Sequence, residues 1–243
     1  MAAVAEAVYD AKNARNYAWA SKTPHAYENL IKGECDIVFA FHPSRRQLVA
    51  AEEAGLSLTL TPVGREAFVF FVNAGNPVSG LTGGQLRGIY SGTIGNWREV
   101  GGPDGKIAPF QRRKESGSQS RMERFMAGTG LVAPPREYEI WDMAGIVSSV
   151  ARYHNYRHAI GYSFLFYVEH IVDAEGIKLL AVDGVRPCLE TVRDGSYPLL
   201  DDIYAVTTEN SREDAGKVVE WILSPQGQRL VRLNGYVPLA PEQ

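Results

Sequence analysis

The stretch from Ile107 to Gly128, IAPFQRRKESGSQSRMERFMAG, combines residue types that can hold a compact negative charge. Phe110, Gln111 and Arg112 end an apolar run, and a Ser-Gly-Ser turn follows at Ser116, Gly117 and Ser118. Ser116 and Gln119 have the S-x-x-Q spacing of a capping box, and Met122, Phe125 and Met126 give the helix beyond them an apolar stripe. Such an arrangement aims backbone N–H groups, two hydroxyls and a guanidinium at one point, which is how a protein binds an oxyanion without a metal. Capping boxes also open many helices that bind nothing, so the remaining sequence has to support the reading.

Other chemistries find little support. The two cysteines, Cys35 and Cys188, make neither a disulfide framework nor paired metal-ligand spacing, and two free thiols are expected. His154 and His158 could share a helix face but have no acidic partner in register, so no zinc site is expected. No G-x-S-x-G elbow is present, and Ser116 and Ser118 have no evident base near them in sequence. Asp201 and Asp202 look like a carboxylate pair, but neighbours on a strand face opposite ways. The reading is therefore of a binding protein with no catalysis, no cofactor and no metal.

The elements that must position the site alternate helix and strand, which predicts an α/β fold with mostly parallel sheets. The first residues, MAAVAEAVYDAKNARNY, read as an amphipathic helix already under way, with no signal-peptide pattern. Thr23 is predicted as N-cap before Pro24, with the helix stopping at Gly33. Asp36–Phe41 reads as a buried strand, Ser44/Gln47 and Thr82/Gln85 as further capping boxes, and Ala67–Asn73 as a buried strand ending in the turn signal NAGNP. Later come a helix with Ile146, Val147 and Val150, a strand from Ala159 running into a helix near Phe166, and a strand over Ile177–Val182. A strand over Asp202–Thr207, a helix started by Ser211 and Asp214, and a last helix capped by Gly235 complete the chain. Trp19, Trp97 and Trp141 are expected in packing rather than as ligand stackers.

The 243 residues suit one large domain or two lobes of roughly a hundred residues each. With 25 Lys+Arg against 28 Asp+Glu the net charge is −3, so no overall positive field draws the chain to nucleic acid or anionic lipid, and anion recognition must be local. No run reaches the ~18 apolar residues of a membrane span.

Taken together, AYENLIKGECDIVFAFHPS, TPVGREAFVFFVNAGNPV, LTGGQLRGIYSGTIGNWREVGG, FQRRKESGSQSRMERFM, AIGYSFLFY, DGSYPLLDDIYAVT and LSPQGQRLVRLNGYVPL resemble, in number and order, the PstS-type phosphate-binding proteins of bacterial ABC importers, in the type II periplasmic-binding-protein superfamily. The resemblance implies a two-lobed fold with two interlobe crossovers: residues 1–72 and 203–243 in one lobe, 73–202 in the other. It implies Arg112 as the guanidinium on the anion, and Ser116, Gly117 and Ser118 as hydroxyl and amide donors. Thr23 would be a helix-start donor from the first lobe with Ser21 beside it, and Tyr162 a residue bordering the cleft without being a ligand. The function implied is extracytoplasmic capture of phosphate or a similar oxyanion for an ABC importer, on a protein that is lipid-anchored in its full-length form. Two departures stand out. Where family phosphate receptors place an aspartate that accepts a proton of the ligand, this chain has Phe41 or His42, and the family's first strand and D-G-[ST]-T-like loop are expected to precede the segment represented by this sequence. Those departures leave a second reading, a signalling or adhesion module with a degenerate cleft, which retention of Arg112 and the Ser-Gly-Ser turn opposes.

Overall fold

A computed structural model describes residues 20–114, 116–152, 156–171 and 175–239. The opening helix predicted from Met1, Trp19 and His154 lie outside the described residues.

In chain order the elements are α1 (Thr23–Ile31), β1 (Val38–Phe41), α2 (Arg45–Glu53), β2 (Leu58–Asn73), β3 (Gly80–Leu81), α3 (Gly83–Tyr90), β4 (Ala108–Pro109), β5 (Gln111–Arg112) and α4 (Gly117–Phe125). They continue with β6 (Glu139–Ile140), α5 (Met143–Arg152), β7 (Ala159–Phe164), α6 (Leu165–His170), β8 (Ile177–Leu179), β9 (Ala181–Val182), α7 (Leu189–Arg193), β10 (Leu200–Thr208), α8 (Glu213–Leu223) and α9 (Pro225–Leu233). None of the described helices is long and apolar enough to cross a membrane.

The chain divides into two compact units. One comprises the residues up to Arg65 and those from Asp202 onward, and the other is the continuous segment Glu66–Asp201. The crossovers were expected near 73 and 203. In this division the first border falls earlier, inside β2, and the second falls inside β10.

In the first unit β1 pairs antiparallel with β10, Val38 opposite Val206 and Phe41 opposite Ile203. The two-residue period of the strands sorts their side chains onto two faces. Val38 and Val206 face Tyr27 and Leu30 of α1, while Ile203 and Ala205 join Val63, Ile222 and Val231, with Phe39 and Phe41 packed against them. Both faces are thus covered by helices. Ser44 forms the full capping box at α2, and Gly235, at φ 83°, takes the left-handed turn after α9. Two expected caps are corrected. Lys22, not Thr23, is the N-cap of α1, because its extended backbone precedes helical Thr23 and Pro24. Arg212, not Ser211, caps α8, since Ser211 Oγ is drawn to the N–H of Thr208 at 2.9 Å.

In the second unit the buried half of β2 pairs antiparallel with β7, Phe68 opposite Phe164 and Val72 opposite Ile160, and at its end with β8. The run expected as one strand over Ile177–Val182 is two short ones, because β9 leaves β2 to pair in parallel with β3. β4 runs parallel to β7, and β5 to β6. The expected predominance of parallel pairing is therefore corrected: the sheets are mixed, because β7 and β8 return alongside the long strand β2 in the opposite direction. One side of this sheet carries an aromatic cluster of Phe68, Phe70, Tyr90, Phe125 and Tyr162. On the other side Gly161 lies against Phe71 and Val150, where a Cβ would come within 2.9 and 3.0 Å of their side chains. Trp97 is fully buried and donates Nε1–H to His158 O at 3.0 Å.

Candidate functional site

The site is built where β4 and β5 end. Phe110 N–H donates to Ile160 O near the start of β7 at 2.9 Å and Arg113 N–H to Ile140 O at the end of β6 at 3.0 Å, so the segment leaves the two parallel ladders at the carboxyl ends of β4 and β5. The carboxyl ends of strands are the usual ligand side of parallel α/β sheets. The chain then turns into α4, whose N-cap is Ser116 in extended backbone. Ser116 Oγ accepts the Gln119 N–H at 3.2 Å, and Ser116 O accepts the Ser120 N–H at 2.9 Å. Helix geometry leaves the N–H groups of Gly117 and Ser118 without an intrahelical acceptor.

The expected capping box is only half made. The Gln119 side chain does not reach back to Ser116; it turns into the core, where its Oε1 accepts the Tyr162 hydroxyl hydrogen and its Nε2 donates to Gln111 Oε1 at 3.5 Å. Tyr162 in turn accepts the Arg112 N–H at 2.9 Å. A buried phenol therefore joins the strand end and the first turn of the helix.

Arg112 is only 6 % exposed. Its Nη2 donates to Trp141 O at 3.3 Å, but Nε and Nη1 are buried with no hydrogen-bond partner among the described residues. Ser118 Oγ is in the same condition. Burial lowers the guanidinium's pKa from its ordinary value, opposed by Tyr162, Asp142 and Tyr167. The cation remains charged at any physiological pH, because arginine starts so high. Next to it Arg113 stacks 3.9 Å from the centroid of the exposed Trp141 ring. Buried donors without acceptors are costly, and a guanidinium and a helix N-terminus each favour an acceptor-rich, negatively charged group.

Ser116, Gly117 and Ser118 thus form the start of α4 in the second unit, and Arg112, on β5 just before it, is joined to that first turn by its backbone N–H through Tyr162 and Gln119. Thr23 and Ser21 belong to the first unit. Thr23 is half-buried in the first turn of α1, followed by a proline with no N–H to offer, and Ser21 is exposed with its Oγ 3.5 Å from Lys22 O. His42, also in the first unit, has Nδ1 2.9 Å from Pro43 O. Asp201 and Asp202 do not act together: Asp201 pairs with Arg121 and Arg124 at 3.3 and 2.7 Å, Asp202 with Arg65 at 3.2 Å. Cys35 and Cys188 are free thiols. Sequence reasoning missed the inward roles of Gln111 and Gln119 and the Trp141 carbonyl. The signal available was Gln119 itself, a polar residue one helical turn before Met122 on the buried face.

A family model described as a PBP superfamily domain matches residues 1–226. The chain belongs to this superfamily. Among its relatives the phosphate-binding protein PstS of Borreliella burgdorferi is 26% identical over 215 residues, covering 85% of this chain and 75% of the relative. PstS of Bacillus subtilis is 26% identical over 194 residues, covering 78% of this chain and 62% of the relative. Among solved structures, a putative phosphate ABC transporter substrate-binding protein with bound phosphate from Clostridium perfringens has a TM-score of 0.74 at 24% identity, covering 98% of this chain and 96% of its own. An ABC-type phosphate transport receptor from Vibrio cholerae has a TM-score of 0.73 at 21% identity, over 98% of this chain and 95% of its own. These structural likenesses carry the fold of the superfamily, and the named relatives are of the PstS type.

Proposed function

We propose that this protein is an extracytoplasmic solute-binding protein that captures phosphate, or an oxyanion of the same shape, and delivers it to an ABC importer. The observation that carries this reading is the set of buried donors without a hydrogen-bond partner among the described residues, Arg112 Nε and Nη1 and the Ser118 hydroxyl, the last of them in the first turn of α4. A tetrahedral oxyanion supplies acceptors to such donors, and the names of the PstS relatives agree with that ligand. In this reading Arg112 holds the charge, and Gly117, Ser118 and Ser116 contribute at the helix start. Thr23 is assigned as a donor on α1, with Ser21 in a lesser role. The reading is of binding without catalysis: Ser116 Oγ accepts a backbone N–H, and Ser118 Oγ has no hydrogen-bonded base among the described residues. The unsatisfied donors also speak against a degenerate signalling or adhesion module, in which nothing would maintain their cost.

Titration calorimetry with inorganic phosphate and with sulfate tests the reading. Binding of phosphate, and a loss of at least about tenfold in Arg112→Ala, is expected, since a hydrogen bond to a charged group contributes about 1.5–3 kcal/mol. A protein that binds neither anion, or an Arg112→Ala variant of unchanged affinity, would overturn it.

A further inference from the structure

Tyr162 touches two of the elements that carry the proposed anion donors and belongs to neither. Its single hydroxyl accepts from Arg112 N–H on β5 and donates to the Gln119 side chain in the first turn of α4. From Gln119 the chain of bonds runs on in one sense, Gln119 Nε2 to Gln111 Oε1 at 3.5 Å and Gln111 Nε2 to Val132 O at 2.8 Å. Every member uses the role its chemistry allows, with a phenol that donates once and accepts once, and amides that accept at oxygen and donate at nitrogen. Tyr162, Gln111 and Gln119 are all buried. The Tyr162 ring is itself held by Phe68, Phe70 and Tyr90, at centroid distances of 5.4, 6.1 and 5.6 Å.

We infer that Tyr162, acting through Gln119, is the positioning residue that sets the Arg112 end of β5 in register with the Gly117–Ser118 turn of α4, so that the donors of both elements converge on one anion. The inference rests on the proposed anion site. A hydrogen-bond donor that is misplaced by a fraction of an ångström loses much of its worth, so a ligand held from two separate elements depends on whatever fixes their spacing. A buried, fully paired network does this better than apolar contacts, because each of its bonds has a direction. Burial also pushes the Tyr162 phenol far above its ordinary pKa, so its proton remains available to Gln119 throughout the physiological range.

The test is calorimetry with inorganic phosphate on the whole chain as Tyr162→Phe, Gln119→Leu, Ser118→Ala and the double variant Tyr162→Phe/Ser118→Ala, with melting curves of each in the absence of phosphate. Tyr162→Phe and Gln119→Leu should each bind at least about fivefold more weakly than wild type, and Tyr162→Phe should cost less once Ser118 has lost its hydroxyl, since coupled groups are not additive. Gln119→Leu keeps the question open to measurement if Tyr162→Phe does not fold. Unchanged dissociation constants in variants that merely melt lower would confine Tyr162 to stability and overturn the inference. Losses that add fully to that of Ser118→Ala would overturn it as well. A wild-type protein that binds no phosphate removes the ligand reading itself, and this role with it, whereas phosphate binding that is lost in Arg112→Ala but untouched in Tyr162→Phe and Gln119→Leu defeats this inference alone.

Discussion

Arg112 is a residue whose environment suits it poorly when the protein is considered without a ligand. Each buried polar group lacking a partner costs about 1–3 kcal/mol, and among the described residues Arg112 has two such nitrogens, with Ser118 Oγ a further such atom in the first turn of α4. Replacing Arg112 by Met, which fills similar space without donors, should leave the phosphate-free protein melting no lower than wild type while phosphate binding disappears. Differential scanning calorimetry decides it: a marked fall in melting temperature without phosphate would mean that the guanidinium is structurally satisfied after all. The complementary measurement is stabilisation by ligand. At a free phosphate concentration one hundred times the dissociation constant, wild type should gain about 2.7 kcal/mol, and Arg112→Met should gain nothing. At this scale the helix start was well marked in the sequence, because serine and glycine at a strand-to-helix turn carry their capping chemistry in their types. The inward path of Gln119 was not, since it depends on Tyr162, which is distant in sequence and meets α4 only when β7 is in place.

Among the elements, β2 carries the most demanding buried group. Glu66 sits within it, and its carboxyl accepts N–H bonds from Ala67 at 2.8 Å and Phe166 at 3.2 Å. Burial, with lesser contributions from Glu169 and Asp201, outweighs those bonds and raises its pKa from 4.5 to about 8. The native state therefore keeps a proton that the unfolded chain releases near the ordinary value. Between about pH 4.5 and about pH 8 the unfolded state binds fewer protons, so stability contributed by Glu66 is full below that window and falls as pH rises through it. Urea unfolding at a series of pH values should show this decline, and Glu66→Gln should flatten it; a wild-type profile that rises steadily from pH 5 to 8, unaltered by the substitution, would refute the assignment. Gly161 on β7 offers a packing test: with Phe71 and Val150 already against it, Gly161→Ala should cost about 1–3 kcal/mol by overpacking. Caps were legible where the capping residues bond only to their own turn, as at Ser44 and Thr82. They were misplaced by a residue at Thr23 and Ser211, where a following proline or a competing turn shifts the boundary. Strand direction was harder to read than strand existence, because pairing depends on partners such as β2 and β7 that are far apart along the chain.

For the whole molecule, the net charge of −3 gives no long-range attraction for an anion, and the proposed site would bind through buried contacts around α4. Interactions sheltered from solvent are weakly screened, and phosphate affinity should fall by no more than about threefold between about 0.05 and about 0.5 M sodium chloride. A fall of an order of magnitude or more would point to exposed charges such as Arg113 and Lys114 as the main source of affinity. That the chain makes two α/β units could be read from its alternation and family resemblance. The first border was expected from the turn signal that ends β2 but falls within β2, where composition does not change, while the second, expected at 202/203, differs by one residue. This division bears on how the protein is made. Strand β1 leaves the ribosome early, yet its partner β10 follows only after the whole Glu66–Asp201 unit has been synthesised. At roughly 5–20 residues per second the nascent chain carries an unpaired, apolar Val38–Phe41 segment for on the order of ten seconds, while the inserted unit can already collapse around its own sheet. The first unit can therefore be completed only after the second has been synthesised, and β1 is the segment that a chaperone has most reason to cover in the interval.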